Sequence, residues 1–179
     1  MHYTTVYNIA TEPYDGWIWF ILVGIFFVLT LVGFGIFSLK IPGLTTASLN
    51  PVRYWVLGFT VVIVGIAALS YWDFSRLQKS LLTNDCQRLD GVIQGHWEKK
   101  WVEGDRTKSS SWKHYEGFTV NTVSFGYFIR NAEHAGFQNS DSVQIPLYDG
   151  LPVRIHYITD KHIDDGTLEN RILKFEIGR

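Results

Sequence analysis

The chain has 179 residues, with 16 Lys and Arg against 17 Asp and Glu, a net charge of −1. That balance offers no basic surface for nucleic acid. The single cysteine, Cys86, rules out an intramolecular disulfide and a multi-cysteine metal site.

Residues 1–16 read as an N-terminal tail. It has no Lys or Arg and carries Glu12 and Asp15. A secretory signal needs a basic start, a short apolar core and a small-residue cleavage site, and this stretch has none of them. The apolar run behind it is therefore expected to be retained.

Residues 17–39 and 54–72 contain no Lys, Arg, Asp or Glu. At helical rise they reach roughly 35 and 28 Å, against a hydrocarbon core of about 30 Å. Trp17 and Trp19 open the first run, Tyr54 and Trp55 open the second, and Tyr71 and Trp72 close it. Such rings favour the headgroup level, where one end is apolar and the other wet. Both runs are predicted to be transmembrane helices. Residues 40–53 form a short loop punctuated by Pro42-Gly43 and Asn50-Pro51. The two helices are thus expected to form a hairpin with both termini on one side. Lys40 and Arg53 in the loop, against a tail without basic residues, predict both termini outside the cytoplasm of a bacterial inner membrane. Arg76, Lys79 and Arg88 argue the other way.

Without an ionisable group the spans offer no proton relay or ion path. Gly58 and Gly65 are seven apart on one helical face, with Ala68 near it. These three are candidate helix-packing residues, for the two helices or for another membrane subunit. Phe74, Leu77 and Leu81 then fall at helical spacing, so residues 73–84 read as an amphipathic extension that ends at Thr83-Asn84-Asp85. It would lie on the membrane or pack on the domain that follows.

From residue 85 the period changes to two. A first strand is expected from Gly91 to about Val102. Phe118, Val120, Val123, Phe125 and Tyr127 mark two strands, with Asn121-Thr122 as the turn. Thr is a poor residue for positive φ, so a longer turn is open. Val153, Ile155 and Tyr157 mark another strand, and Leu173, Phe175 and Ile177 the last. About five antiparallel strands over residues 85–179 predict a small, partly closed barrel of the OB or SH3-like kind. The expected fold class is a membrane protein: a two-helix transmembrane hairpin plus a small all-β domain.

Three segments of this half carry a resemblance: Gly91-Val92-Ile93, residues 118–125, and Gly150-Leu151-Pro152-Val153-Arg154-Ile155-His156-Tyr157. They resemble the membrane proteins grouped as domain of unknown function 3592. Thr122 stands where that pattern has glycine, and no proline follows Tyr157 soon after. The resemblance implies a membrane-borne β-domain and brings no catalytic residues.

Candidate chemistry is sparse. Asp160-x-His162-x-Asp164-Asp165-Gly166 lacks the glycine and the acid of a calcium loop, because Asp165 and Arg171 stand at those places. Ser109-Ser110-Ser111 with His114 lacks a nucleophile elbow. No catalytic residue, cofactor or metal is expected. Trp97, Trp101, Trp112 and Tyr115 are the candidate partner-binding surface, unless they plug one end of the barrel. The expected function is non-enzymatic: a membrane-anchored accessory subunit whose β-domain binds a protein partner. That partner would be another membrane or envelope protein, or a second copy. A ligand-sensing or envelope-binding module signalling through a partner is the alternative. A membrane-bound hydrolase or metalloenzyme is the remote one.

Overall fold

The computed structural model describes residues 2–14, 16–33, 50–103, 111–129, 135–139, 145–161 and 168–179. The chain divides into two units: Met1–Pro13 with Phe74–Arg179, and Tyr14–Asp73.

The first unit is mostly β. Its strands are β1 (Tyr3–Asn8), β2 (Gln87–Glu103), β3 (Ser111–Val120), β4 (Val123–Phe128), β5 (Pro152–Lys161) and β6 (Leu168–Gly178). They form one antiparallel sheet in the order β1-β6-β5-β2-β3-β4. β2 is long enough to serve two neighbours. Its first half pairs with β5 and its second with β3. The sheet curls far enough for the Asn170 amide on β6 to donate to the Ser124 carbonyl on β4, at 2.9 Å. Alternation buries one face: Ile93, Phe118, Val120, Phe125, Tyr127, Val153, Ile155, Tyr157, Ile172 and Phe175 make the core. Phe118 lies within ring-contact range of Phe125, Tyr127 and Phe175. Val120 faces Val123 across a two-residue turn, in which Asn121 alone takes a positive φ of 55°. Asn tolerates that region and Thr122 avoids it, so the turn stays short.

The last turns of the second helix belong to this unit. Leu77 is fully buried with Ile9 and Leu173, and Phe74 and Leu81 pack around them. A β-bulge makes this possible. His156 pairs with Lys174 and Tyr157 with Ile172, which leaves Leu173 as an extra residue on β6. Ile172 and Phe175 therefore both face the main core, while Leu173 turns to the helix. The helix stops where expected. Asn84 takes a left-handed φ of 56°, and the Asp85 N–H donates to the Ser80 carbonyl at 2.8 Å.

The second unit contains α1 (Trp17–Gly33) and the first part of α2 (Asn50–Leu82). The Thr30 and Thr60 hydroxyls are buried and 2.9 Å apart. One donates to the other, and the second donates to the carbonyl four residues back, which in each helix lies 2.8 Å from the hydroxyl. Hydroxyls in apolar surroundings are satisfied in this way. Much of the remaining helix surface is exposed and apolar, including Trp17, Phe20, Ile25, Phe27, Trp55, Val61, Leu69 and Trp72.

The fold class read from the sequence needs correction. A two-helix transmembrane hairpin is not shown. Among the described residues one helix, over Tyr54–Leu82, is long and apolar enough to cross a membrane. The described part of α1 has 17 residues, about 26 Å at helical rise. The end of the predicted first span and the Pro42-Gly43 loop lie outside the described residues. An apolar run records composition, whereas spanning depends on how long the helix actually is. The five-strand OB or SH3-like barrel is also replaced, by a six-stranded antiparallel sheet. The extra strand, β1, comes from the stretch read as a tail. Thr4 and Thr5 on β1 interrupt the apolar alternation that would have marked it, and its partner β6 lies at the far end of the chain.

Candidate functional site

β2, β3 and β4 carry the side chains that stand out, and the pairing register divides them between two faces. Trp97 pairs with Gly117, Lys99 with Tyr115, and Trp101 with Lys113. These residues share the face turned away from the core. Trp97 stacks on Tyr115 with ring centroids 5.5 Å apart. Tyr115 meets Phe128 edge-on at 4.8 Å, and Trp101 tilts against Phe128 at 6.0 Å. Each such pair contributes about 0.5–1.5 kcal/mol beyond its burial. Two glycines make room for the row. A Cβ on Gly117 would lie 2.7 Å from the Trp97 ring, and one on Gly126 would overlap the Tyr115 hydroxyl. The Lys99 ammonium lies 5.5 Å from the Trp101 ring and that of Lys113 5.7 Å from Phe128. Trp97 remains 47% exposed. The row is a surface feature, not a plug of the core.

Trp112 does not join it. It pairs with Val102, one residue out of phase with Trp101 and Lys113, so it lies on the opposite face, 76% exposed. Of the four residues singled out in the sequence, the structure brings together Trp97, Trp101 and Tyr115. Phe128, absent from that selection, links them. Its signal was the register across β3 and β4, which a single strand cannot supply.

The core-side face of the same strands holds a polar cluster that the sequence reading did not single out. His96 Nε2 lies 2.8 Å from Glu116 Oε1. The Tyr127 hydroxyl donates to Glu116 Oε2 at 2.6 Å, and the Asn139 amide donates to the same oxygen at 3.1 Å. Asn139 is itself held by the Ile145 backbone, donating to its carbonyl at 2.9 Å and accepting from its N–H at 2.8 Å. Glu98 pairs directly with Glu116 across the strands, and His114 Nε2 lies 3.0 Å from Glu98 Oε2. One ligand atom from each of His96, Glu98 and Glu116 lies within 4.8 Å of the others. Glu116 is only 2% exposed. Burial, reinforced by the hydrogen bond to Glu116, drives the Tyr127 phenol far above its ordinary range, so it stays a donor.

A bulge aims His96 into this cluster. Gln94 pairs with Thr119 and Trp97 with Gly117, so Gly95 and His96 together face one residue of β3. Gly95 has φ +59°, a region that glycine enters without cost. Ile93 points inward before the bulge, and His96 and Glu98 point inward after it. The Asp149 carboxylate fixes the new course by accepting the His96 backbone N–H at 2.8 Å. The clue in the sequence was a repeated His-x-Glu, at 96–98 and 114–116.

The other candidates fall elsewhere. Gly58, Gly65 and Ala68 lie on the exposed side of α2, where an added Cβ on either glycine meets nothing. The buried positions of that stretch are Thr60 and Ala67. Asp160 is held by Arg76 and Arg171. His162, Asp164, Asp165 and Gly166 lie outside the described residues, as do Ser109 and Ser110. Cys86 Sγ lies 3.8 Å from His156 Nδ1. Burial, then the Asp85 charge, pushes its thiol above the ordinary range, which makes it a weaker nucleophile. No family model, curated protein or solved structure matches the chain.

Proposed function

We propose that the protein is a membrane-anchored accessory subunit whose β-unit binds a protein partner through the row Trp97, Tyr115, Phe128 and Trp101. The observation that supports this is the row itself. Four aromatic side chains share the outward face of β2–β4, and the ammonium groups of Lys99 and Lys113 lie against two of them. Large, rigid rings with an adjacent positive charge suit a partner segment that combines apolar side chains with carboxylates. The kinship with the domain of unknown function 3592 proteins belongs to this proposal, on the strength of the three sequence segments alone.

A double charge reversal, Lys99→Glu with Lys113→Glu, tests the reading. In native membranes a photo-crosslinking residue at position 97 should capture one stoichiometric partner, and the reversal should abolish that capture without lowering Tm. The same probe at position 112, on the other face, should stay silent. Equal capture from both positions, or capture indifferent to the charge reversal, would sink the idea.

The anchor in this proposal is α2, on which Trp55, Val61, Val62 and Leu69 are exposed among the described residues. β1 pairs with β6, so the two ends of the chain belong to one unit. We place that unit outside the cytoplasm, because Lys40 and Arg53 precede the anchor. A membrane-impermeant maleimide should then label Cys86 on intact spheroplasts. The reaction should quicken as the pH is raised, because the thiol titrates high. Labelling that appears only after lysis would reverse the orientation.

A further inference from the structure

Two His-x-Glu pairs face one another on β2 and β3, and the partner-binding proposal makes no use of them. We propose that His96, Glu98 and Glu116 form a binding site for one divalent first-row transition-metal ion, with His114, Tyr127 and Asn139 holding the ligands in place.

The spacing fits. An ion about 2.1 Å from each ligand atom holds two of them at most about 4.2 Å apart. The three atoms here already lie within 4.8 Å of one another. Side-chain adjustments of about half an ångström would complete the shell. The separation of His96 Nε2 and Glu116 Oε1 opens to admit the ion, and Glu98 closes from the rim.

The charge arrangement calls for a cation. Glu98 and Glu116 are direct cross-strand partners, and like charges in that position repel. Glu116 is almost wholly buried, and Tyr127 and Asn139 are neutral donors that satisfy its oxygens without cancelling its charge. A divalent ion neutralises both at once. The surrounding contacts are those of a metal site's outer layer. Tyr127 and Asn139 occupy Glu116 Oε2 and leave Oε1 turned toward His96. His114 steadies Glu98 through its Oε2. The bulge at Gly95 and the Asp149 hydrogen bond set the course of the strand that carries His96.

The donor set selects the kind of ion. One imidazole nitrogen and two carboxylates, without sulfur, suit zinc, manganese or ferrous iron. Calcium asks for six to eight oxygens, more than these side chains supply. Glu98 is exposed and gives the ion a way in from solvent.

The full chain in detergent, with any affinity tag removed and stripped by a chelator, is titrated with Co²⁺ and followed by its visible absorption. One Co²⁺ per chain is expected, displaced by one Zn²⁺, and Zn²⁺ should raise Tm. Glu98→Gln and His96→Gln should each weaken Co²⁺ binding at least about tenfold. His156→Ala, beside Cys86, should leave it unchanged. Glu116 sits in the buried network, so the decision rests on Glu98 at the rim, where a substitution leaves the fold intact. No saturable uptake overturns the site, and so does uptake indifferent to both variants. Uptake lost with His156→Ala would place the ion elsewhere and overturn it equally.

Discussion

Asp160 accepts two hydrogen bonds from Arg76, at 3.0 and 2.5 Å, and one from Arg171 at 3.2 Å. The Arg76 bonds above all hold its carboxyl below the ordinary range, with help from the Arg171 charge. A depressed carboxylate adds stability that is present above its unfolded pKa, near about 3.9, and is lost as pH falls through the folded value. Asp160→Asn should therefore cost about 1 kcal/mol at neutral pH, after allowance for solvent screening, and should flatten the acid limb of a stability–pH profile. Urea melts across that limb check both. A variant as acid-sensitive as the parent would show that another group carries the transition. None of this pairing was legible in the sequence, where Asp160 reads as the start of a failed calcium loop and Arg76 as a basic residue that bears on orientation. The two are 84 residues apart and meet only because the helix end packs on the sheet. The repeated His-x-Glu was legible as letters. Whether its members meet depended on one glycine with a positive φ, which reverses the inside–outside alternation of β2.

At the scale of elements, strand positions follow from alternation and their faces often do not. Val153, Ile155 and Tyr157 are all buried, as period two demands. Leu173, Phe175 and Ile177 keep the same period in the sequence, yet the β6 bulge sends Leu173 to the helix and Phe175 to the main core. The helix end is the reverse case. Phe74, Leu77 and Leu81 were readable as one face, and the structure supplies what covers it. Leu77→Ala should cost about 2–5 kcal/mol, because the cavity lies between helix and sheet and neither relaxes freely. Leu82→Ala, at an exposed position one turn on, should stay within about 0.5 kcal/mol. Thermal melts of the two variants against the parent decide this. Equal small losses would mean that the helix end is only loosely attached to the β-unit.

At the scale of the molecule, the β-unit is assembled from both ends of the chain. β1 covers the edge of β6, Tyr7 touches both buried clusters, and the Gln78 amide donates to the Ala10 carbonyl at 3.2 Å. Removing residues 2–13 should lower Tm by several degrees and leave β6 as an open edge that pairs between molecules. Light scattering after gel filtration would reveal the association. A truncated chain with unchanged Tm and mass would show that β1 is dispensable. The sequence by itself determined the apolar helical stretches, the switch from helical to two-residue period near residue 85, and most strand positions, because those follow from local periodicity and turn chemistry. Only the tertiary structure decided that residues 3–8 are a strand, how far α2 runs, that Trp112 parts from Trp97 and Trp101, and that two His-x-Glu pairs converge. The physical reason is common to all four. A strand edge, the length of a helix and the face a side chain takes after a bulge depend on hydrogen bonds made along and across the fold, and these leave no local mark on the residues that make them.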